Sequence, residues 1–123
     1  MHSVRVLEAA AIETEEAAAW YEMQRAGLGS EFRAAFKVAL DRLWEERVPG
    51  TPWLGVLSKR GVKRMGMKRF PFYVVFVATD TTWVVLAVAH HRRRPGYWRR
   101  RLRHALSPGG ESDQATPSGV RKS

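Results

Sequence analysis

A run of histidine, arginine and aromatic residues near residue 90 carries the side chains best suited to chemistry. His90 and His91 end a strongly apolar segment, and Arg93, Arg94 and Tyr97 follow them. Cleavage of RNA through its 2′-hydroxyl needs a base, an acid and positive charge on the phosphate oxygens. Histidine can serve as base or acid near neutral pH. His90, His91 and Tyr97 are therefore the candidate catalytic groups.

Arginines supply the positive charge that such a site needs. Arg69, Arg93 and Arg94 are candidate phosphate ligands, because the guanidinium fork matches phosphate geometry. Tyr97 would donate a proton or stack on a base. In the alternative, structural interpretation, Tyr97 and Trp98 pack the C-terminal segment onto the protein while the arginines stay in solvent. We favour packing for Trp98, and both interpretations stay open for Tyr97.

Neither a metal nor a cofactor is expected at this cluster. His90 and His91 are adjacent on a predicted strand, so their side chains point to opposite faces and cannot converge on one ion. No acidic residue lies nearby in the sequence. The chain also has no cysteine, which excludes a disulfide scaffold and a cysteine zinc site and fits a reducing cytoplasm.

Charge is divided unevenly along the chain. The net charge is +9 over 123 residues. Residues 59–104 carry 13 lysines and arginines against one acid, Asp80, whereas residues 1–58 carry 6 against 9 acids. A region so poor in acid attracts polyanions, either nucleic acid or an acidic protein. No apolar run approaches the roughly 20 residues of a membrane span, and no secretion signal is expected.

Two apolar segments next to the cluster predict the centre of a sheet. Residues 70–79 and 82–89 are apolar on both faces, as central strands are, and the short turn between them predicts an antiparallel hairpin. Residues 3–7 and 61–69 alternate in polarity and predict two further strands.

Two helices are predicted between the first strand and the rest of the sheet. Residues 8–25 are rich in strong helix formers, and residues 30–46 follow after a short glycine link, which predicts an antiparallel helical hairpin. The apolar stripe predicted for the first helix, opposite an acidic outer face, consists of Ile12, Ala19, Met23 and Ala26. The stripe predicted for the second helix consists of Phe32, Phe36, Ala39, Leu40 and Leu43.

The predicted order is β-α-α-β-β-β, an α+β fold whose N-terminal helical hairpin packs on an antiparallel sheet. The other sheet face, or part of it, is left for a partner. Residues 97–106 predict a short basic helix, and Trp53 is expected to pin the Pro/Gly loop at 48–58 to the body. One domain is expected over residues 1–106, followed by a disordered tail at 107–123.

Four segments in this order and spacing resemble the RelE/ParE family of toxins from type II toxin–antitoxin systems. They are Glu16 with Ala17–Glu22, Gly27–Gly29 with Phe32, Lys68–Phe72, and Ala87–His90 with Arg93, Pro95, Tyr97 and Trp98. The resemblance spans about residues 4–101. It implies a β-α-α-β-β-β fold and a small cytoplasmic toxin that a cognate acidic antitoxin, encoded beside it, holds inactive.

The resemblance implies one of two targets. The RelE branch cleaves mRNA in the ribosomal A site without a metal, and the ParE branch poisons DNA gyrase. The segments Trp20–Tyr21, Phe70–Phe72 and Tyr97–Trp98 look more like the ParE branch. Residues 74–77 are apolar and bring no further basic group to a nuclease site. We therefore expect a growth inhibitor that binds DNA gyrase rather than an enzyme.

The residues expected to contact the target are Arg69, Arg93, Arg94, Tyr97, Arg99 and Arg101. The alternative is a ribosome-dependent mRNA endonuclease, with His90 or His91 as base or acid and Tyr97 orienting the nucleotide. A third possibility, a nucleic-acid-binding protein without toxicity, depends on the charge alone.

Overall fold

The computed structural model describes residues 3–45, 51–52, 61–79 and 82–106. The elements in chain order are β1 (Ser3–Val6), α1 (Glu8–Gln24), α2 (Leu28–Trp44), β2 (Thr51–Pro52), β3 (Lys63–Gly66), β4 (Phe72–Ala78), β5 (Thr82–His90) and α3 (Arg99–Leu106). The α+β class, the helical hairpin and the basic C-terminal helix are thereby confirmed. The loop with Trp53 and the tail at 107–123 lie outside the described residues.

The described strands form one sheet in the order β1-β5-β4-β3-β2. The pairs β2–β3, β3–β4 and β4–β5 are antiparallel, as expected. β1 differs, because it pairs with β5 in parallel, with Val4 beside Trp83 and Val6 beside Val85. No tight turn joins β1 to its neighbour, so its direction is not fixed by a hairpin. The sheet is therefore mixed rather than wholly antiparallel.

The two central strands are buried on both faces, as their composition predicts. One irregularity decides which side chains face which layer. Ala87 pairs with Val75 while Val85 pairs with Phe76, so Leu86 is an extra residue in β5. Such a bulge interrupts the alternation of side chains. Val85 and Val88 consequently pack with the helical hairpin, and Leu86 and Ala87 pack with α3.

Glycine and glutamate build the turn between α1 and α2. Gly27 adopts a left-handed backbone with φ of 88°, which costs a glycine little. The Glu22 carboxylate accepts hydrogen bonds from the backbone N–H groups of Gly27 and Gly29, each at 2.9 Å. These bonds, the one from Gly27 first, lower the pKa of Glu22. They also satisfy N–H groups at the start of α2, which have no partner within the helix.

The apolar face predicted for α1 is wrong. Its buried residues are Ala10, Thr14 and Ala18, whereas Ile12 and Met23 are 49% and 84% exposed. The reason is the close approach of the two helices, since a Cβ on Gly29 would lie 2.6 Å from the carbonyl oxygen of Ala18. Only small side chains fit in that contact, so Ile12 and Met23 face outward, while Tyr21 packs against Phe32 beside it. For α2 the prediction is confirmed, with Phe32, Ala39 and Leu43 buried.

The second face of the sheet was expected to be left, in whole or in part, for a partner, and α3 packs on much of it. α3 covers it through Trp98, Leu102 and Ala105, which join Val62, Val75, Val77, Val84, Leu86 and Ala87 in one buried cluster. Trp98 is only 1% exposed, so its predicted packing role is confirmed. After β5 the chain reverses direction, and α3 packs against this face of the sheet.

Candidate functional site

The predicted site residues gather at one end of the sheet, where β4 begins and β5 ends. Phe72 pairs with His90 across these strands, and the His91 N–H donates to the Pro71 carbonyl oxygen at 2.9 Å. Arg69 precedes Pro71 by two residues, so it lies at the same end of the sheet as the two histidines. It does not share a face with Tyr97, because Arg69 contacts the helical hairpin and Tyr97 packs in the α3 layer.

Arg69 is held on the hairpin side by Glu31 of α2. Its Nη2 donates to Glu31 Oε1 at 2.6 Å, and Arg25 donates to the same carboxylate at 3.2 Å. The hydrogen bond from Arg69, followed by that from Arg25, lowers the pKa of Glu31. Arg69 has a φ of 72°, the one left-handed non-glycine residue among those described. Such a backbone is costly for a side chain with a Cβ, and this cost is a recurrent feature of binding sites.

His90 and His91 point to opposite faces, as predicted. The His90 ring meets Phe72 edge-on at 5.1 Å, on the hairpin side. Its Nδ1 accepts the Arg92 N–H at 3.0 Å, so the neutral ring carries its proton on Nε2. Neither nitrogen of that tautomer offers a free lone pair for a general base.

The other histidine belongs to a stack of aromatic and cationic groups on the α3 side. The His91 ring lies 4.2 Å from the Tyr73 ring, and the Arg64 guanidinium lies 4.7 Å from the centre of the same Tyr73 ring. A guanidinium over an aromatic face is attracted by the ring quadrupole. Arg64 of β3 and His91, the residue after β5, thus both contact the Tyr73 ring of β4 at this end of the sheet.

Tyr97 is bound inside the molecule through its hydroxyl group. Its O–H donates to Glu13 Oε2 at 2.7 Å, and Arg101 donates to both oxygens of that carboxylate at 2.9 and 3.0 Å. Burial first, and the bond to Glu13 second, raise the pKa of Tyr97 well above its ordinary value. The phenol therefore stays protonated and serves as a fixed donor. Glu13, Tyr97 and Arg101 are named the polar clamp below.

The polar clamp also forms hydrogen bonds to the backbone of β5 beyond the point where β1 ends. β1 stops beside Val85, whose carbonyl oxygen accepts the Leu7 N–H at 3.1 Å. Beyond that point the Val88 N–H donates to Glu13 at 3.0 Å, and Arg101 donates to the Leu86 carbonyl oxygen at 3.0 Å. Two side chains thus replace the backbone of a missing neighbour strand. Arg101, expected to contact a target, is only 23% exposed and already bonded.

The remaining predicted arginines face solvent near Tyr97. The Arg93 guanidinium covers the Tyr97 ring at 3.8 Å from its centre, and Arg93, Arg94 and Arg99 are exposed. No acidic residue occurs within 61–79 or 82–106. Glu13 is the acid that reaches this layer, and Arg101 neutralises it. The exposed part of this face is consequently cationic.

The sequence gives little sign of three residues that shape the site. Glu13 lies in the stretch expected to form a solvated acidic face, and only the three-dimensional path of α1 brings it to β5. Tyr73 is one residue in an apolar strand. Arg64 could have been noticed, because the alternation at 61–69 puts it opposite Met65 and Met67, on the basic side of β3.

A groove with an apolar floor lies on the hairpin side, between α2 and the segment that follows β3. Its lining residues are Glu31, Ala34, Ala35, Val38, Ala39, Arg42, Gly66, Met67, Lys68 and Arg69. Val38 is 47% exposed there. Three of the lining residues are cationic, so the groove combines an apolar floor with a basic rim.

Among residues 3–45, 61–79 and 82–106, no three His, Asp or Glu side chains lie close enough to hold a metal ion. No described helix is long and apolar enough to cross a membrane.

Comparison with solved structures reveals the same architecture in another protein. A chain of the structure described as "Chromosomal ParDE TA system from P. aeruginosa" aligns with a TM-score of 0.63 at 16% sequence identity. The match covers 73% of this chain and 96% of that chain. At such low identity the likeness establishes the fold. No protein-family model matches the sequence, and no curated protein matches it.

Proposed function

We propose that this chain is the toxin of a type II toxin–antitoxin system, of the ParE kind, and that it inhibits growth in the cytoplasm by binding DNA gyrase. The observation that carries the proposal is the fold shared with almost the whole of a chain from a ParDE toxin–antitoxin structure. The exposed arginines at the end of the sheet, Arg93, Arg94 and Arg99, support a polyanionic or acidic target.

The proposed antitoxin contact is the hairpin side. Trp20 and Met23 of α1 are 57% and 84% exposed, and the groove beside α2 has an apolar floor with Arg42, Lys68 and Arg69 around it. A segment that alternates acidic and apolar residues would complement both features. Such a segment can be disordered alone and fold on contact.

The proposed gyrase contact is the α3 side of the sheet end. Arg93, Arg94, Arg99 and the ring of Tyr97 would meet the target there, with Arg69 at the margin. Arg101 takes a different role from the one expected from the sequence, because its guanidinium holds Glu13 and the Leu86 carbonyl oxygen. It would position Tyr97 rather than touch gyrase.

The geometry supports a nuclease less well. The Tyr97 hydroxyl is bonded to Glu13, and the His90 Nδ1 accepts the Arg92 N–H. The nuclease hypothesis places Arg69 and Arg93 on the phosphate and Tyr97 on the nucleotide, whereas Arg69 contacts the hairpin side and Arg93 and Tyr97 lie on the α3 side. His91 is exposed and stacks on Tyr73, and in the described parts of the chain no carboxylate bonds to it.

The test is supercoiling of relaxed plasmid by purified DNA gyrase in the presence of the purified chain. We expect inhibition, and we expect the double variant Arg93→Gln/Arg94→Gln to need about tenfold more protein. The double variant Arg25→Gln/Arg33→Gln removes the same charge from the hairpin and should inhibit as the original chain does. Normal supercoiling at micromolar protein would contradict the gyrase target.

Expression of the chain alone in bacteria separates the three functions. A gyrase poison gives growth arrest with DNA breaks, whereas an endonuclease gives cleaved mRNA with intact DNA. Tyr97→Phe keeps the ring under Arg93, so gyrase inhibition should persist, while a nuclease would lose most of its rate. Normal growth, with the protein present in soluble form, would favour the non-toxic nucleic-acid-binding alternative.

A further inference from the structure

The outer face of α3 carries a dense group of cations. Leu102 and Ala105 point into the core, whereas Arg99, Arg100 and Arg103 are exposed on the opposite side of the helix. Arg92 and Arg94 are exposed in the turn that leads into α3. These five arginines, Arg92, Arg94, Arg99, Arg100 and Arg103, are called the arginine ridge.

The arginine ridge lacks the neutralising partners found elsewhere in the molecule. On the hairpin, Arg25, Arg33 and Lys37 each pair with a carboxylate. Within the described parts of the chain, no carboxylate pairs with a ridge arginine. Positive side chains one helical turn apart, such as Arg99 and Arg103, repel each other slightly. A negatively charged ligand would therefore stabilise the ridge.

The shape of the surface distinguishes between classes of polyanion. Charged residues are depleted at the centre of protein interfaces and lie at their rim, so the ridge could only border a protein contact. Among the described residues, the large apolar side chains that are exposed all lie on the hairpin helices and none on α3: Ile12, Trp20, Met23, Val38 and Trp44. A cationic surface without an apolar centre fits a ligand whose contact atoms are charged throughout, such as a nucleic-acid backbone.

We propose that the arginine ridge binds the phosphodiester backbone of nucleic acid without reading its sequence. Arg99 and Arg103 are four residues apart, so their Cα atoms are separated by about 6 Å along the helix axis. Long side chains at this spacing can reach successive phosphates, and each guanidinium can hold a phosphate with two hydrogen bonds. Contacts to phosphates alone carry no sequence information, which is why the proposed binding would not read the bases.

The proposal does not depend on gyrase as a target, because its test measures the binding of nucleic acid to the purified full chain. Fluorescence anisotropy with a labelled duplex DNA and with a labelled single-stranded RNA, each of arbitrary sequence, would be measured from 50 to 300 mM salt. For five phosphate contacts, the logarithm of the affinity for duplex should fall with a slope of about −4.5 against the logarithm of salt, at about 0.9 per contact. The comparison of the two ligands shows which source of phosphates binds better.

The decisive variant is Arg99→Gln/Arg100→Gln/Arg103→Gln. It should make the salt slope shallower by about 2.7, since three contacts are lost, and weaken binding at least tenfold at 50 mM salt. The matched control is Arg25→Gln/Arg33→Gln/Lys37→Gln, which removes the same three charges and should keep the original slope. Arg99→Lys/Arg100→Lys/Arg103→Lys preserves the charge and should keep most of the slope even if glutamine disturbs the helix.

Three results would overturn the proposal. The first is an absence of binding to either nucleic acid at 50 mM salt. The second is an equal loss in the ridge variant and the hairpin control, because net charge alone would then explain the binding. The third is equal competition by polyglutamate of matched charge, which would replace phosphate recognition with general attraction to acids.

Discussion

The two faces of the sheet are covered through different kinds of contact, aromatic packing on one and a polar attachment on the other. On the hairpin side, Phe32 has no exposed surface, and its ring meets those of Tyr21, Phe70 and Phe72 at centroid distances of 5.4, 5.1 and 5.0 Å. Aromatic pairs at such distances add to the free energy of burial. The hairpin side is therefore a packed aromatic core with its ion pairs on the outer surface.

The α3 side has a smaller apolar cover and a polar attachment. Trp98, Leu102 and Ala105 supply the packing of the α3 segment, and Glu13 and Arg101 fasten it to the open edge of β5. An eight-residue helix is too short to be stable without such contacts. The comparison suggests that the hairpin side stabilises the fold, while the α3 side presents the cations that would meet a ligand.

Phe32→Ala should have the largest effect on stability. It removes the centre of the aromatic cluster, and losses of this kind cost about 3–5 kcal/mol. Urea unfolding followed by circular dichroism would measure the change. Val38→Ala on the exposed side of the same helix should stay within about 0.5 kcal/mol. A cost below about 1 kcal/mol for Phe32→Ala would contradict the central role of this cluster.

Glu13→Ala should have the next largest effect and should act on the other face. Arg101, the Tyr97 hydroxyl and the Val88 N–H would each lose a partner. Leaving a buried charge unpaired costs about 3–5 kcal/mol, and the partial exposure of this pair, 14% for Glu13 and 23% for Arg101, reduces the expected loss to about 2–3 kcal/mol. Hydrogen exchange should accelerate in residues 86–88 and in α3 before it does in α2.

The control for Glu13 is its helix neighbour Glu15. The Glu15–Arg33 pair has good geometry, with 2.8 Å between Arg33 Nη2 and Glu15 Oε1, but both side chains are at least half exposed. Exposed pairs contribute about 0–1 kcal/mol. If Glu15→Ala cost as much as Glu13→Ala, burial and edge completion would not explain the importance of Glu13.

Gly29→Ala tests the close contact of the two helices. Alanine is normally the better residue inside a helix, by about 1 kcal/mol. Here the added methyl group would lie 2.6 Å from a backbone oxygen of α1, so overpacking should reverse the sign and destabilise the fold by about 2 kcal/mol. Gly66→Ala, where nothing lies within 4 Å of the added atom, should be neutral or slightly stabilising in the same thermal unfolding measurement.

The sequence predicts the elements of this fold well because apolar residues mark them strongly. Residues 70–79 and 82–89 are recognisable as central strands, and the stripe from Phe32 to Leu43 is recognisable on α2. The α1 face could not be found in this way. Its buried residues are alanine and threonine, which carry little apolar signal, and the large residue Met23 is exposed because the helices are too close to admit it.

The candidate site was predictable in part, because the apolar residues that mark the strands also mark where β5 ends. The end of β5 that carries His90 follows from the pattern, and so do the opposite faces of His90 and His91. Arg69 lies in the bend between β3 and β4 rather than in the strand predicted at 61–69. The bulge at Leu86 has no marker such as glycine, and it decides which residues α3 covers. The bond between Glu13 and Tyr97 joins residues 84 positions apart, and no local pattern specifies such a contact.

Tyr97→Phe gives the smallest effect and the sharpest test of the polar clamp. Loss of one hydrogen bond should cost about 1 kcal/mol at neutral pH. The raised pKa of folded Tyr97 adds a pH dependence. An unfolded tyrosine ionises near pH 10, so the stability that the phenol contributes is complete below pH 10. It is lost as the pH rises above 10 toward the folded pKa.

The difference between the original chain and Tyr97→Phe should therefore be constant from pH 7 to 9 and shrink above pH 10. The unfolded phenol ionises above pH 10 while the folded one resists ionisation, so the difference falls as the pH rises. Burial also raises the pKa of Tyr21, but that residue is present in both proteins and cancels in the difference. A difference that stays flat well above pH 10 would mean that Tyr97 ionises freely in the folded chain. In that case the hydroxyl would not be fixed on Glu13, and the structural argument against a catalytic Tyr97 would fail.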